Sequence, residues 1–133
     1  MKDRLKFRIW NGSEMHHNDF VVTATGYVGK IIEEFLGQCV FKQDDLTADN
    51  ECILMQCTGL KDKNGKLIYE GDIVKFVFGN KYKNGEVTYS QTIWSVSNAQ
   101  FVNREYVGGA LINLYSTCEV IGNIYENPEL IFN

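Results

Sequence analysis

Residues 55–76 read Met-Gln-Cys-Thr-Gly-Leu-Lys-Asp-Lys-Asn-Gly-Lys-Leu-Ile-Tyr-Glu-Gly-Asp-Ile-Val-Lys-Phe, and no other run of this chain limits the fold so tightly. An apolar strand over 52–57 stops at Thr58-Gly59. The polar tip 61–66 contains Asn64-Gly65, the strongest short signal for a tight hairpin turn, because both residue types tolerate positive φ. A short return strand over 67–69 leads into Glu70-Gly71-Asp72. There the glycine supplies a backbone angle closed to other residues, and the Asp72 carboxylate can accept from neighbouring backbone N–H groups. Residues 73–78 begin a strand rich in β-branched and aromatic side chains. A Gly-Asp corner feeding such a strand suits a small SH3-like barrel.

The rest of the chain is read around this run. Leu5, Phe7 and Ile9 alternate with Lys6, Arg8 and Trp10, which predicts a half-buried strand whose bases lie on a solvated face and discourage edge pairing. Asn11-Gly12 is a second hairpin signal, with 15–22 as its return strand. Over 27–36 the period changes. Val28, Ile31, Ile32 and Phe35 fall at helical spacing, with Thr25 as a cap and Gly37 as a stop, although Glu33 and Glu34 oppose the helix dipole. Residues 42–51 form an acidic loop, 79–85 a lysine-bearing turn, 86–96 an alternating strand and 101–107 a weaker one. Gly108-Gly109 turns the chain again, and a last strand over 118–124 precedes Asn127-Pro128. The expected architecture is mainly β (a β-rich α+β fold). It is one domain over 1–133, with an N-terminal hairpin and one helix in 1–50 and a small SH3-like barrel portion in 51–133.

A length of 133 residues fits a single domain, and 44% hydrophobic content supplies a core without disulfides. No run approaches the ~20 apolar residues of a membrane helix, and the charged N-terminus lacks a signal-peptide core, so no membrane partner and a cytoplasmic setting are expected. Cysteines at 39, 52, 57 and 118 form no Cys-x-x-Cys pair, and no histidine is close to them in sequence. They read as free thiols packed as small hydrophobes, with no metal site. The net charge is −4 but unevenly spread: residues 1–12 hold four bases and one acid, and residues 14–51 hold two bases and eight acids. The overall sign opposes non-specific binding of nucleic acid.

Several residues could carry chemistry. Glu70 and Asp72 beside Tyr69 could serve as an acid/base pair or hold a hard cation, whereas the turn itself already accounts for Asp beside Gly. His16 and His17 are adjacent, so in a strand they face opposite ways and do not share a metal. Cys57 would need a base held beside it to act as a nucleophile, and none is near in sequence. Lys61, Lys63, Lys66, Lys75, Lys81 and Lys83 could gather with Tyr69, Tyr82 and Trp94, which is what a single-strand binder needs; lysine-rich turns are otherwise simply solvated. Aromatic residues make up 13% of the chain, more than a small barrel interior holds, so some rings should lie outside as an interaction surface.

Three stretches resemble a known family. They are the central Thr-Gly-Leu-Lys-Asp-Lys-Asn-Gly-Lys-Leu-Ile-Tyr-Glu-Gly-Asp-Ile-Val-Lys-Phe run, the opening Phe7-Arg8-Ile9-Trp10-Asn11 with Met15, and the close from Val120 to Leu130. Together they are similar to the YopX family, small proteins of phages and prophages of Gram-positive bacteria. The resemblance implies a mostly β fold, a phage origin and a cytoplasmic setting, and it implies no activity. The expected function is therefore a non-enzymatic phage accessory protein without a cofactor. It would act as a homo-oligomer or by binding a host or phage protein. The alternative is a nucleic-acid-binding module built on the lysine-bearing turns. A third reading is an enzyme using Glu70 and Asp72.

Overall fold

The computed structural model describes residues 2–17, 20–22, 28–35, 38–43, 53–90, 93–98 and 107–132. The chain divides into two compact units, Phe7–Met55 and the remainder, Met1–Lys6 with Gln56–Asn133.

In the first unit, β1 (Phe7–Trp10) pairs antiparallel with β2 (Met15–His16), Ile9 opposite His16 and Trp10 opposite Met15. The turn between them is held by Asn11, whose Oδ1 accepts the backbone N–H groups of Ser13 and Glu14 at 2.9 and 2.8 Å. The hairpin predicted at Asn11-Gly12 is present. Its return segment, however, is two short strands, β2 and β3 (Phe20–Val22). The solvated basic face expected for the first strand also needs correcting: Arg8 is only 5% exposed and is buried together with Ile9.

The helix expected over 27–36 is a strand. β4 (Val28–Phe35) lies between β3 and β5 (Gln38–Gln43) in an antiparallel sheet. Ile31 faces Phe41 and Glu33 faces Val40, so Ile32 is an extra residue at a bulge. An inserted residue shifts the phase of strand alternation by one. Apolar residues on either side of the shift are then spaced three and four apart, the spacing otherwise produced by a helix. Thr25 and Gly37, the proposed cap and stop, lie outside the described residues, as do the acidic positions 44–51. Lys42, expected in the acidic loop, belongs to β5.

β6 (Ile53–Lys61) starts in the first unit and continues in the second from Gln56, where it pairs with β7 (Leu67–Tyr69), the predicted return strand, with Lys61 opposite Leu67. The chain then builds β8 (Asp72–Phe78), β9 (Lys81–Ser90), β10 (Ile93–Asn98), β11 (Val107–Ala110) and, after a short helix α1 (Leu111–Leu114), β12 (Glu119–Asn123). These strands lie in the order β11-β10-β9-β8-β12, an antiparallel sheet that curls as a half-barrel. The fold is mainly β as expected, but the one α-helix among the described residues is α1. The 79–85 turn shrinks to Gly79-Asn80, because β9 already starts at Lys81. The single strand read over 86–96 is two paired strands, Val87 opposite Val96 and Tyr89 opposite Trp94. Gly108-Gly109 lies inside β11 rather than in a turn, and residues 101–106 of the weaker predicted strand lie outside the described residues.

The core follows from alternation along these strands. Val74 and Phe76 of β8 point inward while Lys75 and Val77 point outward. They join Ile68, Val87, Val96, Leu111 and Cys118 in one buried cluster, flanked by Leu60, Trp94, Leu114, Tyr115 and Val120. Burying a ring such as that of Phe76 contributes about 2 kcal/mol. Space is limited over this cluster at Gly85, which lies opposite Val74. A Cβ at Gly85 would stand 2.7 Å from Val96 Cγ1 and 2.9 Å from Phe76 Cε1.

Gly85→Ala should therefore overpack the core and lower stability by about 1–3 kcal/mol in urea unfolding. Gly65→Ala supplies the contrast. There a Cβ meets open space and φ is +83°, so the loss should be about 1–2 kcal/mol, from the backbone alone. An unchanged midpoint for Gly85→Ala would contradict the packing described.

Candidate functional site

Three polar residues of the central run, Thr58, Asp62 and Asp72, are buried joints. Asp62, 6% exposed, accepts three backbone N–H groups: Asn64 and Lys66 donate to Oδ1 at 2.9 Å each, and Val120 donates to Oδ2 at 2.9 Å. The first two close the hairpin tip, and the third ties it to β12. Lys63 N–H adds a bond to the Cys118 carbonyl at 3.0 Å. Thr58 Oγ1 donates to the Ile68 carbonyl at 2.8 Å and accepts from Leu60 N–H at 3.2 Å, joining β6 to β7.

The Glu70-Gly71-Asp72 corner works in the same way. Gly71 has φ of 85°, and this turns its two backbone groups onto different elements: its N–H donates to the Val87 carbonyl and its carbonyl accepts from Ile124 N–H, both at 2.9 Å. Asp72, 2% exposed, accepts Tyr69 N–H on Oδ2 at 2.8 Å. The expected turn role of Asp72 is thus present. Glu70 N–H donates to the Gln56 carbonyl at 2.9 Å.

Electrostatics separate the carboxylates. For Asp62, burial raises the pKa, but the three N–H donors outweigh it and hold the group below its ordinary value of 3.8. Glu86 is shifted the other way, above 4.5, by burial and then by the negative charge of Glu70. Sequence reasoning missed Glu86, which lies sixteen residues from Glu70. The Gly71–Val87 bond brings their neighbourhoods together, and no local pattern signals it. Cys57 is pushed up by burial and Cys118 is pushed up to about 11 by burial, so both stay as thiols at neutral pH. His16 Nε2 lies 2.9 Å from Asn11 Nδ2, within its own hairpin.

The lysines and rings divide between faces. Lys63 Nζ lies 3.6 Å from Glu119 Oε2, and Asn64 Nδ2 donates to Glu119 Oε1 at 3.3 Å. Glu119 is opposite Lys75, and Lys75 Nζ lies 5.0 Å over the Tyr82 ring, which is opposite Val77. One row thus runs Lys63, Glu119, Lys75, Tyr82. Lys81 and Lys83 alternate with Tyr82 along β9 and lie opposite Phe78 and Phe76 on the other side. Trp94 is half-buried against the core, its ring centroid 5.0 Å from that of Tyr89, and does not join Tyr82. Tyr69 is half-buried in its turn, and Lys61 is exposed at the end of β6. The β8–β9 end leaves Val77 46%, Phe78 40% and Tyr82 68% exposed. Val77 and Phe78 were not singled out in the sequence, although their position directly before Gly79-Asn80 places them at a hairpin tip. Among the described residues no group of three or more His, Cys, Asp or Glu is arranged to hold a metal, and no helix is long and apolar enough to cross a membrane.

Two substitutions test these electrostatics with opposite signs. Asp62→Ala strands three donors and should cost about 2–4 kcal/mol. Because the folded pKa of Asp62 is lowered, its contribution is complete above about pH 3.8 and is lost as pH falls through the folded value. Asp62→Asn should therefore flatten the acid limb of a stability–pH curve. Glu86 is raised, so its charged form costs stability fully at neutral pH and nothing below its ordinary 4.5. Glu86→Gln should raise Tm at pH 7, with the gain vanishing below that value. A lower Tm for Glu86→Gln at neutral pH would contradict the repulsion.

Comparison with known proteins places this geometry. The chain is 29% identical to the SPbeta prophage-derived uncharacterized protein YopX of Bacillus subtilis (strain 168), over 94% of each chain. Its structure is similar to the crystal structure of protein yopX from Bacillus subtilis, with TM-score 0.65 and 26% identity, covering 96% of this chain and 98% of that one. It is also similar to the crystal structure of protein EF1440 from Enterococcus faecalis, with TM-score 0.60 and 27% identity over 95% and 96% of the two chains. The family model described as YopX protein matches residues 6–132, and the chain belongs to the YopX family.

Proposed function

We propose that this protein is a prophage-derived accessory protein that works without catalysis. In this reading it is a protein-interaction, self-assembling module in the bacterial cytoplasm, and the β8–β9 end of an SH3-like half-barrel is its contact surface. The observation that carries the reading is the exposure of Val77 and Tyr82, paired with each other on the outer face of the β8–β9 hairpin, with Phe78 also exposed at the same end on the opposite face. Exposed aromatic and aliphatic side chains grouped in this way supply the water-excluding centre of an interface. The partner is a second copy, or a host or phage protein; the prophage origin of the Bacillus subtilis relative supports the setting. The turn bond of Asp72 and the raised pKa values of Cys57 and Cys118 favour structural over catalytic roles for these groups. No cofactor enters this reading.

One observation favours a second reading. Residues 73–85 contain three lysines and no acid, which suits a polyanion such as single-stranded nucleic acid. The net charge of −4 weighs against it.

Size-exclusion chromatography with light scattering separates the two. The wild type should run as a defined oligomer, and the pair Val77→Ser with Tyr82→Ser should reduce it to a monomer with an unchanged far-UV circular dichroism spectrum. A strict monomer that recovers no protein partner from host lysate would count against the interaction reading. A monomer that shifts only with nucleic acid at low salt would favour the second.

A further inference from the structure

We propose that Asn64 is a site of spontaneous covalent modification: its side-chain amide cyclises onto the backbone nitrogen of Gly65, and the product loosens the β6–β7 tip from β12. The chain carries three Asn-Gly pairs, at 11–12, 64–65 and 84–85. A glycine after asparagine leaves the attacking nitrogen without a neighbouring Cβ in its path, so the three pairs share one intrinsic chemistry. The structure separates them. Asn11 is half-buried, and its Oδ1 accepts Ser13 N–H, Glu14 N–H and the Ser13 hydroxyl at 2.9, 2.8 and 3.1 Å. Its Nδ2 lies 2.9 Å from His16 Nε2, so cyclisation there would dismantle the whole turn. Asn84 is half-buried in β9, with Nδ2 donating to the Leu130 carbonyl at 2.9 Å. Gly85 beside it is buried in the ladder opposite Val74, and the side chains of a strand stand away from its backbone. Asn64 and Gly65, in contrast, are both exposed at the hairpin tip. The Asn64 side chain is held by one hydrogen bond, Nδ2 to Glu119 Oε1 at 3.3 Å, and a Cβ at Gly65 would meet open space. The restraint on the attacking nitrogen is the Gly65 N–H bond to the Asp62 carbonyl at 3.0 Å, and a bond at an exposed tip opens by local fraying.

Water is the co-reactant, and nothing is oxidised or reduced. The Gly65 nitrogen gives its proton to solvent base and bonds to Asn64 Cγ. The Cγ–Nδ2 bond breaks, and that nitrogen leaves as ammonia. Water then opens the cyclic imide at either carbonyl. One opening gives aspartate. The other gives isoaspartate, in which the main chain runs through Cβ and gains a methylene. Either product replaces an amide donor with a carboxylate, so the bond to Glu119 becomes a contact between like charges. Lys63, 3.6 Å from Glu119 Oε2, offsets part of that repulsion. Isoaspartate also shifts the backbone N–H groups of positions 64 and 66, which converge on Asp62 Oδ1 at 2.9 Å each. The same carboxylate holds Val120 N–H through Oδ2, so the change at the tip reaches β12. The tip is thus a timer whose rate is set by pH and temperature and not by a partner.

Peptide mapping by mass spectrometry on the full chain, aged at neutral and at mildly alkaline pH, follows amide-to-acid conversion at Asn11, Asn64 and Asn84. In denaturant the three should convert at similar rates. In the folded protein Asn64 should convert well ahead of the other two, faster at the higher pH, with isoaspartate among the products. Asn64→Gln keeps the amide but must close a larger ring, and it should stay unconverted over the same period. The aged wild type, separated by its added negative charge, should lose amide-exchange protection at Lys66 and Val120 while Gly71 N–H stays protected. Asn64→Gln aged alongside it should keep all of them. Conversion of Asn11 or Asn84 as fast as Asn64 in the folded protein overturns the assignment. So does a folded Asn64 that stays an amide while the denatured chain converts. Conversion at Asn64 with Lys66 and Val120 still protected overturns the loosening of the tip.

Discussion

The carboxylate of Asp62 is the joint on which the second unit depends. It accepts from Asn64, Lys66 and Val120, so a single side chain closes the β6–β7 tip and fastens it to a strand 58 residues further along the chain. A buried carboxylate would be costly without these donors. With them, it fixes a loop whose own residues bury little apolar surface. Gly71 does the complementary work at the other end of β7: its two backbone groups reach β9 and the residue after β12. Between these two positions the hairpin is held to the half-barrel by hydrogen bonds, and the apolar cluster around Phe76 fills the space they enclose.

The run that marks the family is therefore mostly architecture. Thr58, Asp62, Gly71 and Asp72 each have a stated partner inside the fold, and none of those partners needs a ligand. Among the described residues the architecture leaves several large apolar side chains exposed, Leu5, Tyr89, Ile93 and Ile112 among them, and at the end of β8–β9 alternation sends Lys75, Val77 and Tyr82 outward while the turn exposes Phe78. Function is better sought at that end than in the turn-forming residues, because exposed rings cost solubility unless something covers them.

Turn chemistry was the legible part of the sequence. Asn64-Gly65 and Gly71-Asp72 located β7 to the residue, since each turn demands particular side chains over a few positions. Period was less dependable. The bulge at Ile32 made a strand look helical, and two paired strands over 86–96 read as one because Gln91 and Thr92 carry no turn signal. Long-range electrostatics left no trace at all: the approach of Glu70 to Glu86 depends on the Gly71–Val87 bond, which no local pattern announces. For the candidate site, the sequence pointed to Tyr82 and the lysines but not to their separation. Tyr82 and Lys75 share one face of the β8–β9 hairpin, Lys81 and Lys83 the other, and Trp94 packs elsewhere.

Amide hydrogen exchange read by NMR probes the Asp62 joint without relying on any partner. The N–H groups of Asn64, Lys66 and Val120 should be protected together, and Asp62→Asn should release all three while leaving Gly71 N–H, bonded to Val87, the most slowly exchanging of the set. Rapid exchange at Asn64 and Lys66 in the wild type, with Val120 still protected, would contradict a single carboxylate joining the hairpin to β12.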